Sequence, residues 1–278
     1  EDHVMNNWDS NDSTPLWIIV IARLIEDDKL FMDQSLSNKM HYALEWCLQN
    51  IKDYGGFAGY KADPHAKFYE LPEQGWKDKT ESYLLPNGTR PDHPIRDVAV
   101  NAWMWSALMY GSKLFASQDK AFSTQLIKEA HDLKTRFNSE KDGFLMKDID
   151  GTPYFAEAID GNGNKMPGIC ADPALALWAY VDDACIIDEK YIPAVVQRIM
   201  SDEFFDQGAG VRNYSRFEKA LDPTGYHRGQ NTFWPFISGL IAIGFSHFGY
   251  KDEAEKIIKA ILTGITHFDS CIEMFLKD

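Results

Sequence analysis

A chain of 278 residues with 45% apolar and 25% charged residues has an ordinary globular composition, long enough for one large core or two small ones. Its net charge of −14, without any basic run, argues against nucleic acid or an anionic membrane surface as the main partner. Cys47, Cys170, Cys185 and Cys271 lie far apart with no CxxC pair. Three of them fall in apolar helical patterns and read as buried free thiols, which points to a reducing, cytoplasmic setting. The chain starts at Glu1 rather than at Met and is read as part of a longer protein.

Along the chain, two kinds of helical segment alternate. Pro15–Leu24 is apolar nearly all round, as a helix buried on most sides must be. Thr14 and Pro15 look like its N-cap and first-turn pair. Leu36, Met40, Ala43, Leu44, Cys47, Leu48 and Ile51 then recur at helical spacing and mark an amphipathic partner. The same order repeats with Val98–Tyr110 and the stripe from Phe122 to Phe137. It repeats again with Pro173–Val181, where Asp172 precedes Pro173, and the stripe Ile192, Val195, Val196, Ile199. Phe233–Phe245 with Ala254, Ile257, Ile258 and Ile261 makes the fourth round. Gly229–Tyr250 carries no formal charge, but Asn231, Pro235, Ser238, Ser246 and His247 interrupt it, so it reads as a buried helix rather than a membrane span.

Short connectors near Glu26–Gln34, Gly111–Asp119, Asp182–Glu189 and Tyr250–Lys251 join each buried helix to its amphipathic partner. Long ones, roughly 53–96, 138–168 and 202–231, join one pair to the next. The pattern predicts an all-α fold of stacked αα-hairpins, inner helices shielded by outer ones. Short β pieces are expected near Gly55–Tyr60 and Gly143–Phe155. All long connectors should emerge at one end, at the N-termini of the inner helices.

Residues unusual for loops collect in those connectors. Trp8 to Trp17 precedes the first inner helix; Asp12 and Ser13 either cap that helix, or Asp12 points into the mouth and accepts hydrogen bonds from ligand hydroxyls. Gln74 to Ser82 places Trp76 among Lys77, Asp78, Lys79 and Glu81. Unpaired charges of this density cannot form a core, so the segment reads as a polar cleft lining or an exposed loop. An indole face beside carboxylates suits a sugar, with its apolar C–H faces and its hydroxyls. Gly210–Ser215 contributes Arg212, and Tyr226–Pro235 contributes Tyr226, His227 and Trp234; His227 alone is equally a packed structural histidine. Glu273, in Cys271-Ile272-Glu273-Met274-Phe275, is either a carboxylate with a buried partner or an exposed one on a frayed tail.

Taken in order, these segments resemble the amylo-α-1,6-glucosidase (glycogen-debranching) family and related α/α-toroid glycoside hydrolases. Trp8–Pro15 is similar to a Tyr-x-Ser-x-Asp-Ala-Thr-Pro entry, and Gly75-Trp76-Lys77-Asp78-Lys79 to a Gly-Trp-x-Asp-[Ser/Lys] segment. Ile159–Gly163 looks like Leu-Asp-Gly-x-Gly, Gly210–Ser215 like Gly-x-Arg-x-x-Ser, and Tyr226–Pro235 like Tyr-His-x-Gly…Trp-Pro. The resemblance implies one catalytic domain over 1–278, an (α/α)6-type toroid that is incomplete here, since four hairpins are readable. It makes Asp78 the general acid and Glu273 the general base of an inverting hydrolase cleaving α-1,6 branches of glycogen-like glucans. Trp8, Asp12, Trp76, Lys79, Glu81, Arg212, Tyr226, His227 and Trp234 would bind the oligo- or polysaccharide.

No metal is expected, because the eight histidines show no ligand-spaced pair, and no nucleotide or other cofactor, because no glycine-rich strand–turn–helix occurs. Relatives of the same fold also cleave trehalose or mannosylglycerate. A small-glycoside hydrolase and a non-catalytic carbohydrate-binding protein therefore remain the competing readings.

Overall fold

The computed structural model describes residues 10–61, 73–85, 87–148, 150–166, 168–218, 222–270 and 272–277. Its helices form four αα-hairpins: α1 (Ser13–Glu26) with α2 (Gln34–Asp53), α3 (Val98–Phe115) with α4 (Lys120–Phe137), α5 (Leu175–Trp178) with α6 (Ile192–Ile199), and α7 (Pro235–His247) with α8 (Lys251–Ile265). The odd-numbered helices are the inner layer, and α1 packs on α3, α3 on α5, and α5 on α7. Every residue from Val98 to Leu108 of α3 is buried, which is why that helix carries no polar face. The outer helices bury one stripe each, in α2 Met40, Leu44, Cys47 and Ile51. The architecture is an all-α arc of stacked hairpins, an α/α toroid.

Aspartates start three of the helices. Asp33 accepts from Leu36 N at 2.8 Å, Asp97 from Val100 N at 2.9 Å and Asp119 from Phe122 N at 3.0 Å. Each such cap is worth about 1 kcal/mol. α1 differs from expectation: it begins at Ser13, so Asp12 rather than Thr14 holds the cap position. Asp12 makes no side-chain cap; its carboxylate accepts from Ser10 Oγ at 2.5 Å instead.

Two further boundaries move. Gly111, expected in a connector, lies inside α3, because a Cβ there would sit 2.5 Å from Leu44 Cδ2. Its missing side chain lets α2 approach α3. The third inner helix is shorter than Pro173–Val181: a 3-10 turn over Asp172–Ala174 leads into α5, which stops at Trp178. There the freed carbonyls of Trp178 and Tyr180 accept from Arg23 Nη2 of α1, at 2.6 and 3.3 Å.

Four two-stranded antiparallel sheets decorate the arc: β1 (Arg96–Asp97) with β4 (Ala158–Ile159), β2 (Leu145–Lys147) with β3 (Pro153–Phe155), β5 (Phe205–Asp206) with β6 (Gly210–Val211), and β7 (Thr232–Phe233) with β8 (Phe275–Leu276). β1 runs directly into α3 and β7 nearly directly into α7, so these pairs fasten long connectors to the N-terminal ends of inner helices. Cys47, Cys170 and Cys185 are free and buried; Cys271 lies outside the described residues. Among the described residues no helix is long and apolar enough to cross a membrane.

Candidate active site

Three segments meet above the N-terminus of α7: the loop through Trp76–Ser82, the loop through Tyr226–Arg228, and the chain around Glu273. Each is closed by its own hydrogen bonds. Ser82 N donates to Lys79 O at 2.9 Å and its hydroxyl accepts from Lys79 N at 3.1 Å, which turns the first loop. In the second, Thr232 Oγ1 donates to Gly225 O at 2.9 Å and Asn213 Nδ2 to His227 O at 3.2 Å. The third is held by β8, where Phe275 pairs with Phe233 and Lys277 N donates to Asn231 O at 3.0 Å. Phe275 packs so closely on α8 that a Cβ at Gly264 would lie 2.4 Å from its ring. The segment carrying Glu273 is therefore anchored just after that residue.

At the junction, Asp78 Oδ1 lies 3.2 Å from His227 Nε2, and Tyr226 donates its hydroxyl proton to Glu273 Oε2 at 2.7 Å. Adjacent residues thus connect two carboxylates that lie far apart in sequence. The His227 ring stacks on Trp234, 5.3 Å between centroids, and Trp76 stands edge-on to both rings. Trp234 Nε1 is spent on Tyr226 O at 3.1 Å, whereas Trp76 Nε1 and His227 Nδ1 are buried without a partner among the described residues. Lys79 is exposed, its Nζ 5.8 Å from the Tyr226 ring centre. Glu81 is also exposed and acts on His227 through its charge.

Burial lowers the His227 pKa, with Lys77 adding to the effect while Asp78 and Glu81 pull it back. The imidazole is therefore held neutral at neutral pH. Burial and the Glu273 carboxylate push the Tyr226 phenol up to about 12, so it stays a donor. Asp78 keeps 41% of its side chain exposed, and Glu273 is exposed as well. Neither carboxyl is sealed away from a ligand.

Directly beneath lies a layer that the sequence did not reveal. Lys77, expected in a polar lining, is fully buried. Trp76 and Asp78 face His227 while Lys77, between them, turns inward. Its ammonium meets Asp172 Oδ2 at 2.5 Å, Glu157 Oε2 at 3.3 Å and Tyr214 OH at 3.2 Å. Arg228, the residue after His227, reaches the other Glu157 oxygen at 3.2 Å and also donates to Ser82 O at 3.2 Å. Tyr214 donates to Glu157, and Tyr83 to Asp97.

Burial works against each of these charges, and pairing decides the outcome. Burial opposes the Lys77 cation, but Asp172, Tyr214 and Glu157 outweigh it and raise its pKa. Burial opposes the Glu157 anion, but Arg228 and Lys77 bring its pKa below the usual value. Asp172 is pushed up to about 6 by burial, against the pull of Lys77. Glu157, a lone acid in Phe155-Ala156-Glu157-Ala158-Ile159, was the one detectable signal; Asp172 looked like a helix start.

Two expected residues have no contact with the junction, and a third is not described. Asp12 is partly buried, and burial raises its pKa, with the nearby Asp97 charge adding to it and the Ser10 hydrogen bond opposing it. Arg212 is not in contact with the Asp78–His227 pair: its guanidinium meets Asp206 Oδ2 at 3.3 Å and lies 4.9 Å from the Phe233 ring centre. Asp206 also accepts from Lys277 Nζ at 2.9 Å, so Arg212 and Lys277 share Asp206 next to the strand that follows Glu273. Trp8 lies outside the described residues.

The chain matches no protein-family model and no curated protein sequence. Among solved structures it is similar to the GH63 mannosylglycerate hydrolase of Thermus thermophilus in complex with Tris, with 13% identity and a TM-score of 0.63 over 93% of this chain and 70% of that one. A structure of the same hydrolase with Tris and D-glycerate gives 12% identity and a TM-score of 0.61 over 91% and 69%. Neutral trehalase Nth1 from Saccharomyces cerevisiae gives 11% identity and a TM-score of 0.49 over 66% of this chain, which spans only 34% of the trehalase. At these identities the likeness is one of fold, and the fold is the α/α toroid found in glycoside hydrolases.

Proposed function

We propose that this chain is a glycoside hydrolase that cleaves α-glucosidic linkages with inversion, Asp78 acting as general acid and Glu273 as general base. The observation that carries the reading is the junction itself, where Asp78 meets His227 and Glu273 meets Tyr226 within one aromatic-walled site. Cleavage through an oxocarbenium-like transition state needs a proton for the departing oxygen and a base for water on the opposite face. His227 Nε2 orients the Asp78 carboxyl. Burial disfavours the imidazolium, so His227 meets Asp78 as the neutral ring. Tyr226 holds Glu273 by one oxygen and leaves the other for water. Trp76 supplies the stacking face, and Trp234, 4% exposed with the His227 ring stacked on it, backs the wall.

The favoured substrate is a neutral glucan with α-1,6 branches, in line with the motif resemblance. The buried cations beneath the site, Lys77 and Arg228, are committed to carboxylates of the protein, while Lys79 stands exposed beside Tyr226. The second reading, a small glycoside such as mannosylglycerate, is favoured by the likeness of fold to the Thermus hydrolase over most of the chain. A panel of branched dextrin, isomaltose, maltose, trehalose and mannosylglycerate, scored by released monosaccharide, separates the two. Glucose from the branched dextrin is the expected result. Asp78→Asn and Glu273→Gln should each lower turnover by at least about 10²-fold with the fold intact. Release from none of the substrates, or near-normal rates in either variant, would overturn the proposal.

A further inference from the structure

Beside the site runs a groove of about 310 Å³ lined by one face of α2 and by the segments that enter and leave the cleft. Its wall is the stripe Trp46, Gln49, Asn50 and Asp53, which recurs at helical spacing next to the stripe that α2 buries. Its far side includes Asn11 and Gln74. Carboxamides dominate the lining, one carboxylate joins them, and among the described residues no Lys, Arg or His lines it.

We infer that this groove binds a neutral sugar unit of a substrate that extends beyond the candidate active site. A carboxamide donates and accepts at once, which matches vicinal hydroxyls. An indole 37% exposed at the edge offers a stacking face for a ring. Phosphate, nucleotides and acidic peptides are excluded by the absence of a cation and by the charge of Asp53. The volume sits at the lower end of small-molecule sites, room for a short saccharide and not a long one.

The site is built before any ligand arrives. Asn50 Nδ2 donates to Gly59 O at 3.0 Å and to Asn11 Oδ1 at 3.1 Å, and Gly59 N donates to Asn50 Oδ1 at 3.1 Å. This fixes the Asn11 amide, whose Nδ2 is left without a partner among the described residues although Asn11 is only 2% exposed. An orphaned buried amide costs about 1–3 kcal/mol, a cost that no described residue offsets. Gln49 Nε2 is held by Asp53 Oδ1 at 2.6 Å, which leaves the Gln49 carbonyl as an acceptor. The groove adjoins the loop that carries Trp76: Asn11 N donates to Gln74 O at 2.7 Å, and Gln74 stands two residues before Trp76.

The inference deepens the glucan reading and rests on it, because a second sugar-sized groove suits a chain and has no use for a small glycoside. The test is calorimetric titration of the Asp78→Asn protein with maltotetraose, with methyl α-glucoside and with inorganic phosphate. Trp46→Ala and Gln49→Ala, both at exposed positions, should each weaken maltotetraose by about tenfold or more. Methyl α-glucoside should be unaffected and phosphate should not bind. In the otherwise wild-type protein, Trp46→Ala should leave turnover of isomaltose unchanged. Maltotetraose affinity unchanged from the Asp78→Asn parent in both variants, or phosphate binding that Trp46→Ala abolishes, would overturn the groove assignment. Binding that depends on Trp46 in a protein that releases no sugar would sink the hydrolase reading and leave the groove standing.

Discussion

The two carboxylates of the candidate site are held in opposite ways. Asp78 rides on a loop whose neighbouring residue, Lys77, is locked into a fully buried ion network shared with Arg228 beneath His227. Glu273 rides on an exposed segment, held by a two-residue strand and a single phenol. The Asp78 side is therefore fixed from inside the molecule, and the Glu273 side from the surface. An inverting hydrolase has reason for this asymmetry: the acid must meet a fixed glycosidic oxygen, whereas the base must accommodate a water.

The largest effect should come from cutting the inner support. Glu157→Ala removes the anion shared by Lys77 and Arg228 and leaves a buried positive charge uncompensated, which should cost about 3–5 kcal/mol in denaturant unfolding. If the loss is below about 1 kcal/mol, the network does not fix the Asp78 side. On the Glu273 side, Tyr226→Phe removes one exposed hydrogen bond. Stability should change by about 1 kcal/mol or less, while turnover falls about tenfold with KM nearly constant. Equal losses of stability in the two variants would erase the contrast.

The smallest effect concerns the bridge between the sides. Because burial lowers the His227 pKa, the folded state loses stability as pH falls through about 6.5. Replacing His227 with Gln should remove that part of the slope. Asp78 opposes the lowering, so Asp78→Asn should shift the His227 titration, followed by NMR, further down. An upward shift would mean that the two side chains do not interact as described.

Most of the helical scaffold was legible from periodicity, since a helix with one buried face must repeat at helical spacing. The short α5 was not, because its end is set by Arg23 of a distant helix taking the Trp178 and Tyr180 carbonyls. Asp78, Trp76, His227 and Glu273 were singled out as motif residues, and their motifs are local. Glu157, Asp172 and Tyr214 were missed because their role lies in pairing with Lys77 and Arg228 across long sequence separations. The premise that charges so dense cannot enter a core failed at Lys77, where each partner offsets the burial of the other.

The most direct test of the central claim is the stereochemistry of the first product. Proton NMR of the sugar released from an α-glucoside substrate, read before mutarotation, should show the β-anomer and should show none with Glu273→Gln. An initial α-anomer, or β-anomer released undiminished by the Glu273→Gln protein, would contradict the assignment of acid and base to Asp78 and Glu273.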